Sequence, residues 1–376
     1  MNILINNDWS KFSVQDPFNP QNLVSGYICH ISSDQYGALY IEQVNDDKAS
    51  QLILCTPKLL YPFDKSGNWH FPKAKIIERY EKLDGTNVFA FSYKNAKGEI
   101  FVSYKTRLTP FIRDSKFGPF YSMWKEILDR HSYIQQLPFL TGANVSYELW
   151  GARNPHLVKY ESPNLEASIL FYRQDGKIFP PSNMFLPGNK MSVTFESSPI
   201  TTRFLGIVDK DYIQNYQESQ KDMQAKLQET EDGYLGQEGE VWYLLDETGK
   251  WNLFKCKPEA IEKIHWASGG IGKNIIIATC ENAFENFDEP TVDDIRTLLA
   301  EEFPQPEIEK IHYSIEKHLK AAIEKHEFTL KVLAVYNSIG ASIIDEKTVV
   351  MRQMSKEFPR DKMSRVFSAI MSQAVK

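Results

Sequence analysis

A chain of 376 residues is long for one compact core, so two or three structural units are expected. Hydrophobic residues at 42% and charged residues at 24% suit a soluble globular protein and exclude fibrous and disordered classes. With 43 basic against 49 acidic residues, the net charge of −6 argues against a protein that coats nucleic acid non-specifically.

The opening "MNILINNDWS" has neither a basic segment nor a long apolar run, and later apolar runs such as "IIIATC" are too short to span a bilayer. The expectation is a cytoplasmic protein with no membrane partner. From about 25 to 63, "GYICHI", "ALYIEQV" and "QLILCTPKLLYPF" read as strands between polar turns, giving a small β-rich unit over 1–70 that could be OB-like. "DKSGNWHFP" reads as a connector.

Over 71–268 strands dominate: "NVFAFSY", "EIFVSYKT", "NVSYELW", "SILFYR" and "EVWYLL". Helical interruptions are expected near 120–136 and 210–231. The second carries a sparse stripe of Ile213, Tyr216, Met223 and Leu227, which suits a surface helix docked along a narrow face. After about 290 the period changes. Thr291 and Asp294 form a capping-box-like pair, Ile308, Ile311, Ile315, Leu319 and Ile323 follow at helical spacing, and Met363, Val366, Phe367, Ile370 and Met371 repeat the habit. An all-helical unit over 269–376 follows, and the chain as a whole is expected to be α+β.

Charge is unevenly spread. Residues 281–309 hold ten acids and one arginine, whereas 352–376 hold six basic residues and two acids, which permits a local phosphate-binding face. Cys29, Cys55, Cys256 and Cys280 lie far apart without zinc-ligand spacing and read as reduced thiols. The histidines form no recognisable set, and His318 and His326 are expected on an exposed helix face.

Chemistry concentrates in a few short stretches. "EKLDGTNVF" sets Lys82, Asp84 and Gly85 in a tight turn between two strands, either as hairpin decoration or as a nucleophile at the lip of a pocket. "VSYELWG" brings Glu148 near a strand end, and "LFYR" offers Phe171 and Tyr172 on opposite faces of a strand. "GQEGEVWYLL" has Glu238 just before a strand. "FKCK" sets Lys255 and Lys257 on one face, where two like charges repel unless an anion is shared. "SYKTR" adds Lys105 and Arg107, also on one strand face, with Arg107 preferred for substrate contact.

Taken in this order, "KLDGTN", "YELWG", "LFYR", "EGEV" and "KCK" resemble the covalent nucleotidyltransferase superfamily of ATP-dependent polynucleotide ligases and capping enzymes, most closely RNA ligases of the T4 RNA ligase 2 type. The resemblance covers about residues 76–266. It implies a nucleotidyltransferase (ATP-grasp-like) core of two antiparallel sheets and an RNA ligase that joins 5′-phosphate and 3′-hydroxyl RNA ends. ATP would leave AMP covalently on Lys82, with Mg²⁺ or Mn²⁺ assisting. By the same resemblance Asp84, Gly85 and Arg107 lie at the nucleotide, Glu148 binds the ribose, Phe171 stacks on adenine, Glu238 engages the metal or the lysine, and Lys255 and Lys257 hold the α-phosphate. The asparagine of "KLDGTN" favours RNA over DNA ligases. A DNA ligase or guanylyltransferase remains an alternative, although "PRDK" within "EFPRDKMSR" reads as a helix start. A non-catalytic nucleotide- or RNA-binding protein is the other; the oligomeric state is open.

Overall fold

The computed structural model describes residues 9–374 apart from 31–33, 65–66, 115–118, 155–157, 161–164, 186–197, 231–232, 259–270, 272, 288, 301–302 and 304. The boundary expected at 268/269 lies outside the described residues. The fold is α+β, and both of its large central sheets are antiparallel throughout.

Strands β1 (Trp9–Gln15), β2 (Leu23–Cys29), β3 (Leu39–Val44) and β4 (Asp47–Ile53) form an antiparallel meander in the order 1-2-3-4. Asn45 and Asp46, both at positive φ, make the two-residue turn between β3 and β4. Among the described residues this unit is one strand short of the five-stranded Greek-key barrel of an oligonucleotide-binding fold.

The five-stranded sheet runs β11 (Lys177–Phe179), β10 (Glu166–Gln174), β8 (Asn144–Trp150), β6 (Thr86–Lys94), β7 (Ile100–Lys105). The four-stranded sheet runs β12 (Phe204–Val208), β5 (Ala74–Lys82), β15 (Gly239–Asp246), β16 (Trp251–Cys256). A small sheet joins β9 (Val158–Lys159), β13 (Gln228–Thr230) and β14 (Gly233–Leu235). Alternation along the strands decides what is buried where. Tyr80, Val241, Tyr243 and Leu253 face Phe89, Phe91 and Phe171 across the two large sheets, and Val24, Leu39, Ile41 and Ile53 of the meander join the same core. Three sheets therefore share one apolar interior.

The opposite face of the five-stranded sheet is covered by α1 (Phe120–Arg130) and α2 (Tyr133–Thr141), which bury Trp124, Ile127, Ile134 and Leu137. Helix α3 (Tyr212–Lys226) covers the four-stranded sheet. It is shorter than expected, since Gln228–Thr230 is strand, and Ile213 is exposed; Tyr216 and Met223 of the expected stripe make the docking face, joined by Ser219. The connector is no free linker, because Phe63, Trp69 and Phe71 pack beneath Tyr216 and Trp242.

Beyond residue 272 the described residues form helices and 3-10 turns: α4 (Lys273–Asn282), α5 (Val292–Leu299), α6 (Gln305–Lys310), α7 (His312–Ile339), α8 (Lys347–Glu357) and α9 (Met363–Ala374). The capping box of α5 is formed, with Thr291 N–H donating to Asp294 at 2.8 Å and Asp294 N–H donating to Thr291 Oγ1 at 3.3 Å. The long helix α7 serves two apolar clusters, one through Ile315, Leu319 and Ala322 and the other through Val332. Val366 and Ile370 of α9 are buried in the second, and Pro359 precedes the turn that leads into α9, as expected of a helix start. His318 and His326 are half-buried rather than exposed, and the His326 ring lies 4.1 Å from that of Phe284. No helix among the described residues is long and apolar enough to cross a membrane.

Candidate active site

Lys82 ends β5, and β6 begins at Thr86, yet these strands belong to different sheets. "KLDG" is thus not a hairpin turn but the crossing from the four-stranded to the five-stranded sheet. Gly85 is required by that crossing, since a Cβ there would lie 2.2 Å from the Leu149 carbonyl oxygen. Close approach to β8 fixes this glycine in the fold, and the same residue lines the cleft, where the resemblance implies approach to a nucleotide. Asp84 is tied down on both sides. Its N–H donates to Tyr160 Oη at 2.6 Å, and its Oδ2 accepts from Val158 N–H at 2.6 Å. The aspartate therefore clamps the crossing to β9. Burial and the nearby Glu238 push its carboxyl up to about 6, against the pull of Lys82.

Strand register brings the next partner. Gly239 of β15 pairs with Lys82, so Glu238 arrives beside the lysine from 156 residues away. Lys82 Nζ donates to Glu238 Oε2, and Lys257 Nζ donates to Glu238 Oε1 at 3.0 Å. Burial alone would raise the Glu238 carboxyl, but Lys82 and Lys257 hold it down at about 2. The bridge is almost dry: the Glu238 and Lys257 side chains are 6% and 8% exposed, and Lys82 keeps 19%.

Lys255 and Lys257 extend the row of Trp251 and Leu253, while Cys256 turns into the opposite core, as a period of two requires. They are not solvated surface lysines. Lys255 Nζ stands 4.4 Å from the centre of the Tyr61 ring, an aromatic outside the sequence motifs. Helix α3 fixes the strand beneath them, with Tyr216 Oη donating to Lys255 O at 2.9 Å and Gln220 Nε2 to Lys257 O at 3.1 Å.

On the facing sheet, Glu148 of β8 pairs with Asn87 of β6 and Ser168 of β10. Burial raises its carboxyl to about 8, opposed by Lys82 and Arg107 and reinforced by Glu238 and Asp84. Lys105 and Arg107 separate. Lys105 is wholly buried and donates to the Thr106 and Arg107 carbonyls at 2.7 Å each, so it shapes the turn. Arg107 lies on the cleft wall, its guanidinium 5.5 Å from the Tyr36 ring.

A cavity of about 300 Å³ opens between the sheets, walled by Lys82, Gly85, Asn87, Arg107, Glu148 and Phe171. Asp84, Glu238, Lys255 and Lys257 are not on its wall; Glu238 and Lys257 reach it through Lys82. Phe171 faces the cavity side and Tyr172 stacks on Phe179 on the other, as the alternation requires. Sequence reasoning did not find Asn282 and Asn286, which the helical region contributes to the wall. No local pattern marks them. Asn87 was seen only as part of a motif; its Nδ2 donates to Ser146 Oγ and Tyr147 O, both at 3.0 Å, and its buried Oδ1 has no partner.

The resemblance implies that Glu238 engages either the metal or the reactive lysine, and the lysine is the partner in contact. Both of its oxygens accept from ammonium groups, and among the described residues no three His, Cys, Asp or Glu side chains converge on an ion site.

One test follows from Glu148 alone. A carboxyl raised in the folded state contributes its full stability below the ordinary carboxylate range, where both states are protonated, and loses it as pH rises from there through about 8, because the unfolded chain ionises first. Glu148→Gln keeps the shape without the ionisation. Its melting temperature should exceed that of the wild type at pH 9, by an amount corresponding to on the order of a few kcal/mol, with a flatter profile between pH 5 and 9. Parallel profiles would mean that Glu148 is not buried as described.

No protein-family model matches the chain, and no curated protein matches it. Among solved structures it is similar to an archaeal ATP-dependent RNA ligase at 14% identity, over 82% of this chain and 75% of that one, with a TM-score of 0.46. A protein of Aquifex aeolicus proposed to be an ATP-dependent DNA ligase is 12% identical over 94% of this chain and 86% of its own, with a TM-score of 0.42. A substituted form of the Naegleria gruberi RNA ligase with ATP and Mn is 16% identical over 51% of this chain and 52% of its own, with a TM-score of 0.33. Likeness at this level does not assign an activity.

Proposed function

We propose that the chain is an ATP-dependent RNA ligase of the covalent nucleotidyltransferase superfamily, similar to the T4 RNA ligase 2 type. The observation that carries this reading is the Lys82–Glu238–Lys257 bridge at the edge of a cleft that also holds Glu148, Arg107 and Phe171. A lone buried lysine would cost free energy; one held by a carboxylate at the mouth of a cavity is oriented for attack.

In the first step Lys82 Nζ, having given up a proton to water, attacks the α-phosphorus of ATP; a phosphorus–nitrogen bond forms, the bond to pyrophosphate breaks, and a second nitrogen proton is lost as pyrophosphate leaves. Glu238 aims the amine. Lys257, which borders the cleft through Glu238 and Lys82, offsets the negative charge that develops on the α-phosphate, and Lys255 on the same strand face adds its charge from behind the wall. Phe171 packs against the base and Glu148 takes a ribose hydroxyl. In the second step an oxygen of an RNA 5′-phosphate attacks the same phosphorus and Lys82 departs. In the third a 3′-hydroxyl attacks the activated 5′-phosphate, the phosphodiester forms, and AMP leaves. A divalent cation, Mg²⁺ or Mn²⁺, would ride on the triphosphate and water and neutralise phosphate charge.

Substrate class is tested by joining labelled 5′-phosphorylated RNA and DNA ends with ATP or GTP. Sealed RNA with ATP is expected. Sealing confined to DNA, or label transfer confined to GTP, would move the chain to a neighbouring branch of the superfamily.

A further inference from the structure

A second cavity, of about 620 Å³, lies between the β10–β11 hairpin, the β15–β16 hairpin and the segment that follows β4. It adjoins the first, because Leu253 lines both. Strand β10 also connects them: Phe171 faces the cleft, and Arg173, two residues on along the same strand face, lines the second groove.

Arg173 is the unexplained group here. It is 6% exposed, and among the described residues its buried Nε has no hydrogen-bond partner and its side chain makes a single long hydrogen bond, from Nη1 to the Gly176 carbonyl at 3.4 Å. Asp34 shares the groove and its charge is felt by Arg173, but among the described residues no salt bridge joins the two. A guanidinium taken out of water without a carboxylate is costly, and removing such a charge ordinarily stabilises a fold. Lys58, Lys177 and Lys250 line the same groove, so four cations face one carboxylate. Lys58 has its own task, donating to the Ala300 carbonyl at 3.0 Å, whereas Lys177 and Lys250 stand exposed at the rim. The planar fork of arginine suits two oxygens of one phosphate.

We infer that this groove binds a backbone phosphate of a nucleic-acid strand, with Arg173 as its buried anchor and Lys177 and Lys250 as its rim. The identity of the strand rests on the ligase reading, since a strand whose end occupies the first cleft can continue past Leu253 into the second. The anion site itself rests on Arg173 and the groove.

The test is the affinity of full-length wild type and Arg173→Met for a fluorescent 5′-phosphorylated RNA oligonucleotide, followed by anisotropy across a salt series. The substitution should weaken binding by about tenfold or more and make the plot of log affinity against log salt shallower by about one. Its melting temperature without RNA should stay level or rise. Equal affinity and equal slope would overturn the inference. Should Arg173→Met fail to fold, Lys177→Gln with Lys250→Gln carries the test at exposed positions, with weaker binding and a shallower slope expected and unchanged binding overturning it. Inorganic phosphate that raises the wild-type melting temperature, with RNA binding indifferent to Arg173, would make this a free-anion site and overturn the strand. Lysyl-adenylate formation by the wild type is measured separately; its absence would remove the ligase reading and leave the Arg173 result standing.

Discussion

Lys82→Ala should abolish transfer of label from α-labelled ATP to the protein, a loss of at least about a thousandfold, and with it the sealing of 5′-phosphorylated RNA. Joining of RNA already carrying AMP on its 5′ end should survive in part, because that step needs the cleft but not the covalent lysine. The fold should tolerate the change better than the chemistry does. Lys82 keeps 19% exposure, and Glu238 retains Lys257 at 3.0 Å after its loss. Denaturing electrophoresis reads the label and a two-substrate ligation assay reads the split. Full labelling of Lys82→Ala would remove this lysine from the mechanism.

Glu238→Ala should damage stability and activity together. It strands two ammonium groups, Lys82 and Lys257, beside one another in a nearly dry site. Breaking a buried pair by removing one side typically costs about 3–5 kcal/mol, because the remaining charge is left uncompensated. The direction of its own ionisation agrees. With the folded carboxyl held at about 2, its stabilising contribution is complete above its ordinary range and is lost as pH falls towards 2. A second variant separates the two effects. Glu238→Leu combined with Lys257→Met removes one charge of each sign and leaves only Lys82, so it should recover much of the lost stability by denaturant titration while remaining unable to form the adenylate. Recovery of activity with stability would reduce Glu238 to a packing residue.

How much of this was legible in the sequence depends on how local each signal is. The Thr291 capping box and the helical stripes beyond it are contacts within one or two turns, and their spacing alone revealed them. The shared face of Lys255 and Lys257 and the opposed faces of Phe171 and Tyr172 follow from a period of two, which any strand imposes. The same rule misled for Lys105 and Arg107, because β7 ends at Lys105 and the chain turns before Arg107. Only the turn separates a buried structural lysine from an arginine on the cleft wall.

Long-range facts were out of reach of periodicity. Nothing near "KLDG" says that its flanking strands enter different sheets, or that Gly85 must slip past the Leu149 carbonyl. The bridge from Lys82 to Glu238 depends on β5–β15 register, and Tyr61 beneath Lys255 comes from a run that reads only as a strand of the N-terminal unit. Which partner Glu238 meets was hidden for a related reason: a carboxylate in a motif does not disclose that two lysines donate to its two oxygens.

The covalent step is tested most directly by locating the adenylate. Wild-type protein incubated with ATP and Mg²⁺, then digested and analysed by mass spectrometry, should carry one AMP on the peptide containing Lys82, stable to alkali and released by acid as a phosphoramidate would be. AMP on any other side chain, or an unmodified Lys82 peptide from protein that still seals RNA, would contradict the account.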